Sequence, residues 1–278
     1  MNRLNVDWET LVKEGARHLK MGRYKQAGLW FEAAHRSAPD EPLACYALGR
    51  ERMRQRRYME AEVLLRKAWK KDFSLLPAAF SLARLLGLHM DRPREAIEML
   101  DIVAPVANRE NQENIVALLK GEVELRRPGG YKEAMNFFQK ALDMGGLKGA
   151  ATEGLARAFN MEGISLARDG KPHEALFVLK KSADLQPDWG APRLNMGVVF
   201  QTLGKDERAG REYRRALEIE PGSPTALYNL GKLAVKRGEF EEAAGYYKIL
   251  MERHPYYPGA RAALAELARL RRERLHRS

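Results

Sequence analysis

The chain of 278 residues contains a single cysteine, Cys45. One thiol excludes an internal disulfide and any zinc site built from several cysteines. Cys45 lies in the segment PLACYALG, among small and apolar residues. This setting predicts a buried hydrophobic side chain rather than a reactive thiol.

Long apolar runs are also missing from the sequence. No segment approaches the roughly 20 apolar residues that are needed to cross a bilayer. The N-terminal segment MNRLNVDWETLVKEG lacks the apolar core of a secretory signal. We therefore expect a cytoplasmic protein without a transmembrane segment. Hydrophobic residues make up 45% of the chain, which argues against a disordered protein.

The residue patterns of catalytic and metal sites are absent as well. No two of the six histidines lie three or four residues apart, so no helical metal-binding pair exists. No phosphate-binding glycine loop of the Walker type is present, and Gly129–Gly130 in RRPGGYKEA is predicted to be a turn between helices. The sequence therefore predicts no enzyme activity, no metal and no cofactor.

Positive charge, in contrast, is abundant. Lysine and arginine number 48 against 37 acidic residues, which gives a net charge of +11. This excess favours acidic partners, whether a peptide, a nucleic acid or an anionic surface.

One spacing of 34 residues recurs along the chain. In the repeat that begins at Gly190, its small and large positions are Gly197, Ala209, Tyr213, Ala216 and Pro221. The repeats that begin 34 residues earlier and later place residues of similar size at most of the same positions. Small residues on two successive helices allow their backbones to approach closely. A glycine at the fifteenth position would end the first helix, and the proline would end the second.

This pattern resembles the tetratricopeptide repeat, a helix–turn–helix unit of 34 residues. The resemblance implies an all-α protein: an α-solenoid of about seven repeats plus a C-terminal capping helix, wound as a right-handed superhelix with a concave groove. Fifteen helices are expected. The predicted repeats cover residues 8–41, 42–75, 76–110, 114–148, 156–189, 190–223 and 224–257, and the capping helix covers 258–278.

Two places depart from the regular spacing. The third repeat needs one extra residue in its loop, GLHMDRP. Between the fourth and fifth repeats lie seven additional residues, GAATEGL, which we expect to lengthen a helix that runs from about Gly149 to Arg168. The surrounding segment ALDMGGLKGAATEGLA is similar to a junction of Sel1-like repeats. Either the chain forms two sub-arrays, residues 1–148 and 149–278, or the insertion is absorbed without a break.

The resemblance implies that the first helix of each repeat lines the groove. The groove positions carry three acidic residues, Glu9, Glu122 and Glu266. They carry eleven basic residues: Lys13, Lys20, Arg50, Arg54, Arg84, Arg126, Arg157, Arg168, Lys232, Lys236 and Arg269. The ratio of basic to acidic residues at these positions exceeds that of the whole chain, which predicts a basic groove.

Asn195 and Asn229 occupy equivalent positions of neighbouring repeats. An amide side chain can donate to and accept from a peptide backbone, and the resemblance implies such a ladder along a bound peptide. Of the positions with which co-chaperones of this family hold a C-terminal carboxylate, only Asn195 matches, so we do not expect a heat-shock-chaperone adaptor.

The predicted function is a non-catalytic scaffold or adaptor that binds an acidic peptide segment of a protein partner in the basic groove. The predicted groove residues are Tyr46, Arg50, Arg54, Phe80, Arg84, Asn195, Tyr228, Asn229, Lys232 and Lys236. The alternative is RNA or nucleoprotein binding by a basic helical-repeat surface, although no code of one base per repeat is evident. The pattern makes no prediction of oligomeric state.

Overall fold

The computed structural model describes residues 7–275, with side chains up to residue 273. Within this range the chain forms fifteen α-helices and no β-strand. It divides into two compact units, Met1–Gly154 and Leu155–Ser278, here called the N-terminal and C-terminal units. None of the helices between residues 7 and 275 combines the length and apolar character of a membrane span.

The N-terminal unit contains four helix pairs, each joined by a short turn. Their bounds are α1 Trp8–Lys20, α2 Tyr24–Ser37, α3 Pro42–Arg54, α4 Tyr58–Lys71, α5 Leu76–Arg84, α6 Pro93–Arg109, α7 Glu113–Glu124 and α8 Tyr131–Met144. The two helices of each pair pack against one another, and each pair packs against the next.

The boundary between the two units lies within helix α9, Lys148–Arg168, after its N-terminal third. The long helix predicted here is confirmed. The helices that follow it are α10 Pro172–Leu185, α11 Ala191–Thr202, α12 Asp206–Ile219, α13 Pro224–Arg237, α14 Phe240–Arg253 and α15 Ala260–Leu275.

Close approach within a pair depends on a glycine that faces a large side chain. A Cβ atom added to Gly15 of α1 would lie 2.4 Å from the Phe31 ring of α2, closer than real contacts allow. Phe31 is buried in this position. The small-and-large spacing of the sequence is thus a packing requirement of the helix pair.

The turn inside each pair uses left-handed backbone geometry. The glycines at the fifteenth position of four repeats have positive φ, as predicted: Gly22, Gly170, Gly204 and Gly238. The second and third repeats instead place Arg56 and Asp91 there, with φ of 60° and 53°. A side chain in this region crowds the neighbouring carbonyl, so these two turns are strained relative to the glycine turns.

The extra residue of the third repeat lies inside a helix. Residues Leu85–His89 continue α5 as a π-helical turn, in which the Met90 amide donates to the Leu85 carbonyl at 3.1 Å. The prediction placed this residue in the loop and was wrong in that respect. The wider turn accommodates the extra residue while Leu85 and Leu86 stay fully buried.

The all-α repeat fold is therefore confirmed, with each unit built from stacked helix pairs of the solenoid type. The number of repeats and the right-handed superhelix stay predictions.

Candidate functional site

Two adjoining cavities open on the N-terminal unit. The first has a volume of about 430 Å³ and lies between α1, α2 and α3. The second, of about 410 Å³, lies between α3, α5 and α7. Tyr46 and Arg50 of α3 line both cavities and form the wall between them. The first helices of the four repeats, α1, α3, α5 and α7, provide most of the residues that line these cavities.

The first cavity has an apolar floor and a polar rim. Val12, Leu19 and Phe31 contribute to the floor, and Arg54 stands at the rim. The Arg54 guanidinium donates to both carboxylate oxygens of Glu51, at 2.9 and 2.5 Å. It also lies 4.8 Å from the centre of the Tyr24 ring. These hydrogen bonds raise the pKa of Arg54, and its charge is already compensated within the protein.

The wall between the cavities carries Arg50, which differs from Arg54 in its charge environment. The Arg50 guanidinium lies 5.8 Å from the centre of the Tyr46 ring, with Nη1 at 3.4 Å from the tyrosine hydroxyl. Arg50 is exposed, and no carboxylate among the described residues lies within ion-pair distance of it. Its positive charge therefore faces both cavities uncompensated.

The second cavity is also apolar beneath a charged rim. Phe80, Ile115 and Leu119 line it together with Arg84. The Arg84 guanidinium pairs with the Glu122 carboxylate at 3.2 Å, which links α5 to α7. Five predicted groove residues are therefore brought to one surface: Tyr46, Arg50, Arg54, Phe80 and Arg84.

The other five predicted groove residues lie on α11 and α13 of the C-terminal unit. The Asn195 amide donates to the Asn160 side-chain oxygen at 2.8 Å, and Asn160 is only 7% exposed. Sequence reasoning missed this bond, although Asn160 lies 35 residues before Asn195 and so occupies the same face of the preceding repeat. Part of the hydrogen-bonding capacity of Asn195 is therefore already used, while the ladder along a peptide stays a prediction.

Helix α13 supplies Tyr228, Asn229, Lys232 and Lys236. Lys232 lies 5.7 Å from the centre of the Tyr228 ring, which also packs against Tyr257 at 5.6 Å between ring centres. Lys236 forms an ion pair with Asp206 at the start of α12. Tyr228 is thus partly a packing residue.

The uncompensated positive charge at the groove positions is smaller than the count of eleven basic residues suggests. Five of the eleven basic side chains form ion pairs: Lys13, Arg54, Arg84, Lys236 and Arg269. Three of the partners, Glu51, Asp206 and Glu273, lie outside the groove positions and so do not enter the count of acidic residues there. Glu51 precedes Arg54 by three residues on one helix, a spacing that could have identified this pair from the sequence.

The side chains that could act as a nucleophile or as metal ligands do not line the two cavities as a group. Cys45 is buried, with Sγ at 3.2 Å from the Pro39 carbonyl oxygen and 3.7 Å from Nδ1 of His35. Burial raises the pKa of the Cys45 thiol, and the prediction of a buried cysteine is confirmed. Over the part of the chain that the structure describes, no three His, Cys, Asp or Glu side chains are grouped to hold a metal ion. His276 lies outside the described residues.

Comparisons with known proteins support the helical-repeat fold. Residues 194–258 and 228–275 match the family model of the tetratricopeptide repeat. No curated protein matches the sequence. A solved tetratricopeptide repeat protein from Parabacteroides merdae is 17% identical with a TM-score of 0.57, and the alignment covers 94% of this chain and 98% of that one. At this identity the likeness shows the fold.

Two further solved structures match with lower TM-scores. YrrB, described as a TPR protein with an unusual peptide-binding site, is 21% identical over 72% of this chain and 97% of its own, with a TM-score of 0.46. The first TPR of Spaghetti (RPAP3) bound to the HSP90 peptide SRMEEVD is 21% identical over 41% of this chain and 94% of its own, with a TM-score of 0.40. The Sel1-like junction stays a prediction.

Proposed function

We propose, from the family match and the repeat fold that support a tetratricopeptide-repeat protein, that this chain is a non-catalytic scaffold or adaptor that binds an acidic peptide segment of a protein partner. Tetratricopeptide repeats generally mediate protein–protein interactions through the surfaces that their stacked helices create. The proposed binding surface is the face of the N-terminal unit that carries the two cavities.

The pair of adjoining cavities is the observation that supports this function best. Their volumes, about 430 and 410 Å³, fall within the range of sites that enclose ligand groups. Peptide-recognition surfaces commonly combine pockets for individual side chains with polar groups that fix the register. Apolar floors under a rim of arginine and tyrosine satisfy both requirements.

The proposal includes a separate contact surface on the C-terminal unit. Tyr228, Asn229 and Lys232 lie within about one turn of α13 and present an aromatic ring, an amide and a cation. Asn195 and Lys236 are expected to contribute less, because the first already donates to Asn160 and the second pairs with Asp206. We further propose a cytoplasmic location, which imaging of the tagged protein in its native cell would test.

Affinity purification with cavity-blocking variants tests the function. Ala16 and Ser81 line the first and second cavities, and neither lies in the closed core. We expect Ala16→Phe or Ser81→Phe to remove protein partners that the wild-type chain retains. Gln26→Phe is the matched control, because Gln26 is exposed on α2 and lines neither cavity.

Nuclease treatment provides the second arm of this experiment. Partners that survive nuclease and disappear with the cavity variants would support the scaffold. Loss of every partner on nuclease treatment would favour RNA binding instead. Retention of every partner by both cavity variants would place the interface elsewhere.

A further inference from the structure

Three arginines border the two cavities, and their charges differ in availability. Arg54 is held by both oxygens of Glu51, whose side chain is 1% exposed. Arg84 pairs with Glu122 at 3.2 Å. Only Arg50 among the three lacks a carboxylate partner within the described residues, and its polar contact is the Tyr46 hydroxyl.

This difference determines where a negative ligand group can bind. A carboxylate placed near Arg54 or Arg84 also approaches Glu51 or Glu122, so attraction and like-charge repulsion largely cancel. Nη1 of Arg50 contacts the Tyr46 hydroxyl at 3.4 Å, while no acceptor among the described residues engages Nε or Nη2, so a carboxylate there can accept two parallel hydrogen bonds. The surface therefore has one strong position for an anion, and this position lies on the wall shared by the cavities.

The two cavities beside this wall favour apolar groups. The first offers Leu19, Phe31 and Leu43 to an occupant, and the second offers Phe80 and Ile115. Because helix α3 stands between the cavities, their centres are separated by about the width of one helix, roughly 10 Å. In an extended peptide, residues i, i+2 and i+4 point to the same side, and i and i+4 lie about 13 Å apart.

We propose that the occupant of this surface is an extended peptide segment with two large apolar residues, at positions i and i+4. One Asp or Glu lies between them at position i+2. The central carboxylate binds Arg50, and the flanking side chains enter the two cavities. This inference rests on the proposed function and specifies its ligand: one central acidic residue rather than a run of them.

Selection from a phage-displayed library of random 12-residue peptides, with the full chain as bait, tests the ligand pattern. We expect enrichment of sequences with an acidic residue two positions from an apolar residue on each side. Failure to select any peptide that Ala16→Phe releases would contradict the proposed function itself. Selection of cavity-dependent peptides without the central acidic residue would overturn only the inference.

A fluorescein-labelled selected peptide then tests the role of Arg50 by anisotropy. We expect Arg50→Gln to weaken binding about tenfold or more, since a charge-assisted pair is lost. Arg57→Gln is the matched control and should change affinity less than about threefold, because Arg57 is an exposed arginine that pairs with Glu60 and lines neither cavity. Equal losses in the two variants would contradict the proposal.

Charge reversal separates direct contact from an indirect effect on the fold. The variant Arg50→Glu should lose the acidic peptide and gain affinity for the same peptide with lysine at its central position. Since Arg50 is exposed, we expect this variant to retain the circular dichroism spectrum of the wild type. No gain with the lysine peptide in a folded variant would show that the carboxylate does not bind at Arg50.

Discussion

Replacement of Gly231 by alanine perturbs the closest contact of the α13–α14 pair. The added Cβ would lie 2.3 Å from Cε1 of Tyr247 and 2.7 Å from Cζ. Tyr247 is only 1% exposed, so its ring cannot turn into solvent to relieve the contact. Either the two helices move apart or the tyrosine leaves its preferred position, and both responses disturb the surrounding core.

The loss of stability caused by the contact between the added methyl group and Tyr247 can be isolated with a second glycine of the α13–α14 pair. Overpacking of this kind destabilises by about 1–3 kcal/mol. Gly245 of α14 is exposed, and a Cβ there would meet nothing within 4 Å. Gly245→Ala should therefore stabilise by about 0.5–1 kcal/mol, because alanine is the better helix former. The helix-propensity gain is common to both variants, so their difference measures the steric contact.

Native-state hydrogen exchange of the α13 and α14 amides is the appropriate measurement. Repeat arrays unfold locally, so exchange of these amides reports the stability of the α13–α14 pair directly, whereas denaturation of the whole chain reports it as one contribution to a sum. We expect lower local stability in Gly231→Ala and higher local stability in Gly245→Ala. In a Tyr247→Ala background the cost of Gly231→Ala should shrink, since the ring that causes the clash is gone. Strict additivity of these two changes would refute the packing argument.

Three substitutions and one proteolysis experiment test other features. Arg56→Gly should raise the free energy of unfolding by up to about 1 kcal/mol in urea denaturation, because glycine adopts the left-handed turn without strain. Asn195→Ala should lower it by about 1–3 kcal/mol, since the buried oxygen of Asn160 loses its donor. Burial and nearby cations lower the pKa of His35, so the unfolded chain binds more protons and stability should fall as pH decreases below about 6.5. His35→Gln should reduce this slope in denaturation curves recorded between pH 7 and 5. If the chain is two sub-arrays divided at residue 148, limited proteolysis should cut first at the non-helical residues 145–147, and cuts confined to the termini would contradict that division.

The helix pairs could be predicted because their requirements are local and periodic. The packing of a glycine against a large side chain constrains only the sizes of the two residues. The spacing of small and large residues is therefore kept in the sequence even where the residue identities change. The long helix α9 could be predicted for a similar reason, since its seven additional residues contain no proline and no turn signal strong enough to end a helix.

The π-helical turn could not be predicted from this spacing. One extra residue in the third repeat can enlarge either the loop or the preceding helical turn, and both give the same register in the sixth helix. The choice depends on whether Leu85 and Leu86 can remain buried, which is a property of the packed unit. The strained turn at Arg56 is comparable, because four other repeats carry a glycine at this position and the chain adopts the same geometry here without one.

The candidate site required the structure for a reason rooted in electrostatics. Counting basic residues at groove positions treats every arginine as an independent charge, whereas a guanidinium held by two carboxylate oxygens presents little net field to a ligand. Arg50, Arg54 and Arg84 all count as groove arginines in the sequence pattern, and the positions of Glu51 and Glu122 make them different. What distinguishes Arg50 is therefore the lack of a carboxylate partner within the described chain, together with its place on the wall between two apolar cavities. On a highly charged helical surface, the residue best placed to bind an anionic ligand group is the one whose charge the fold leaves uncompensated.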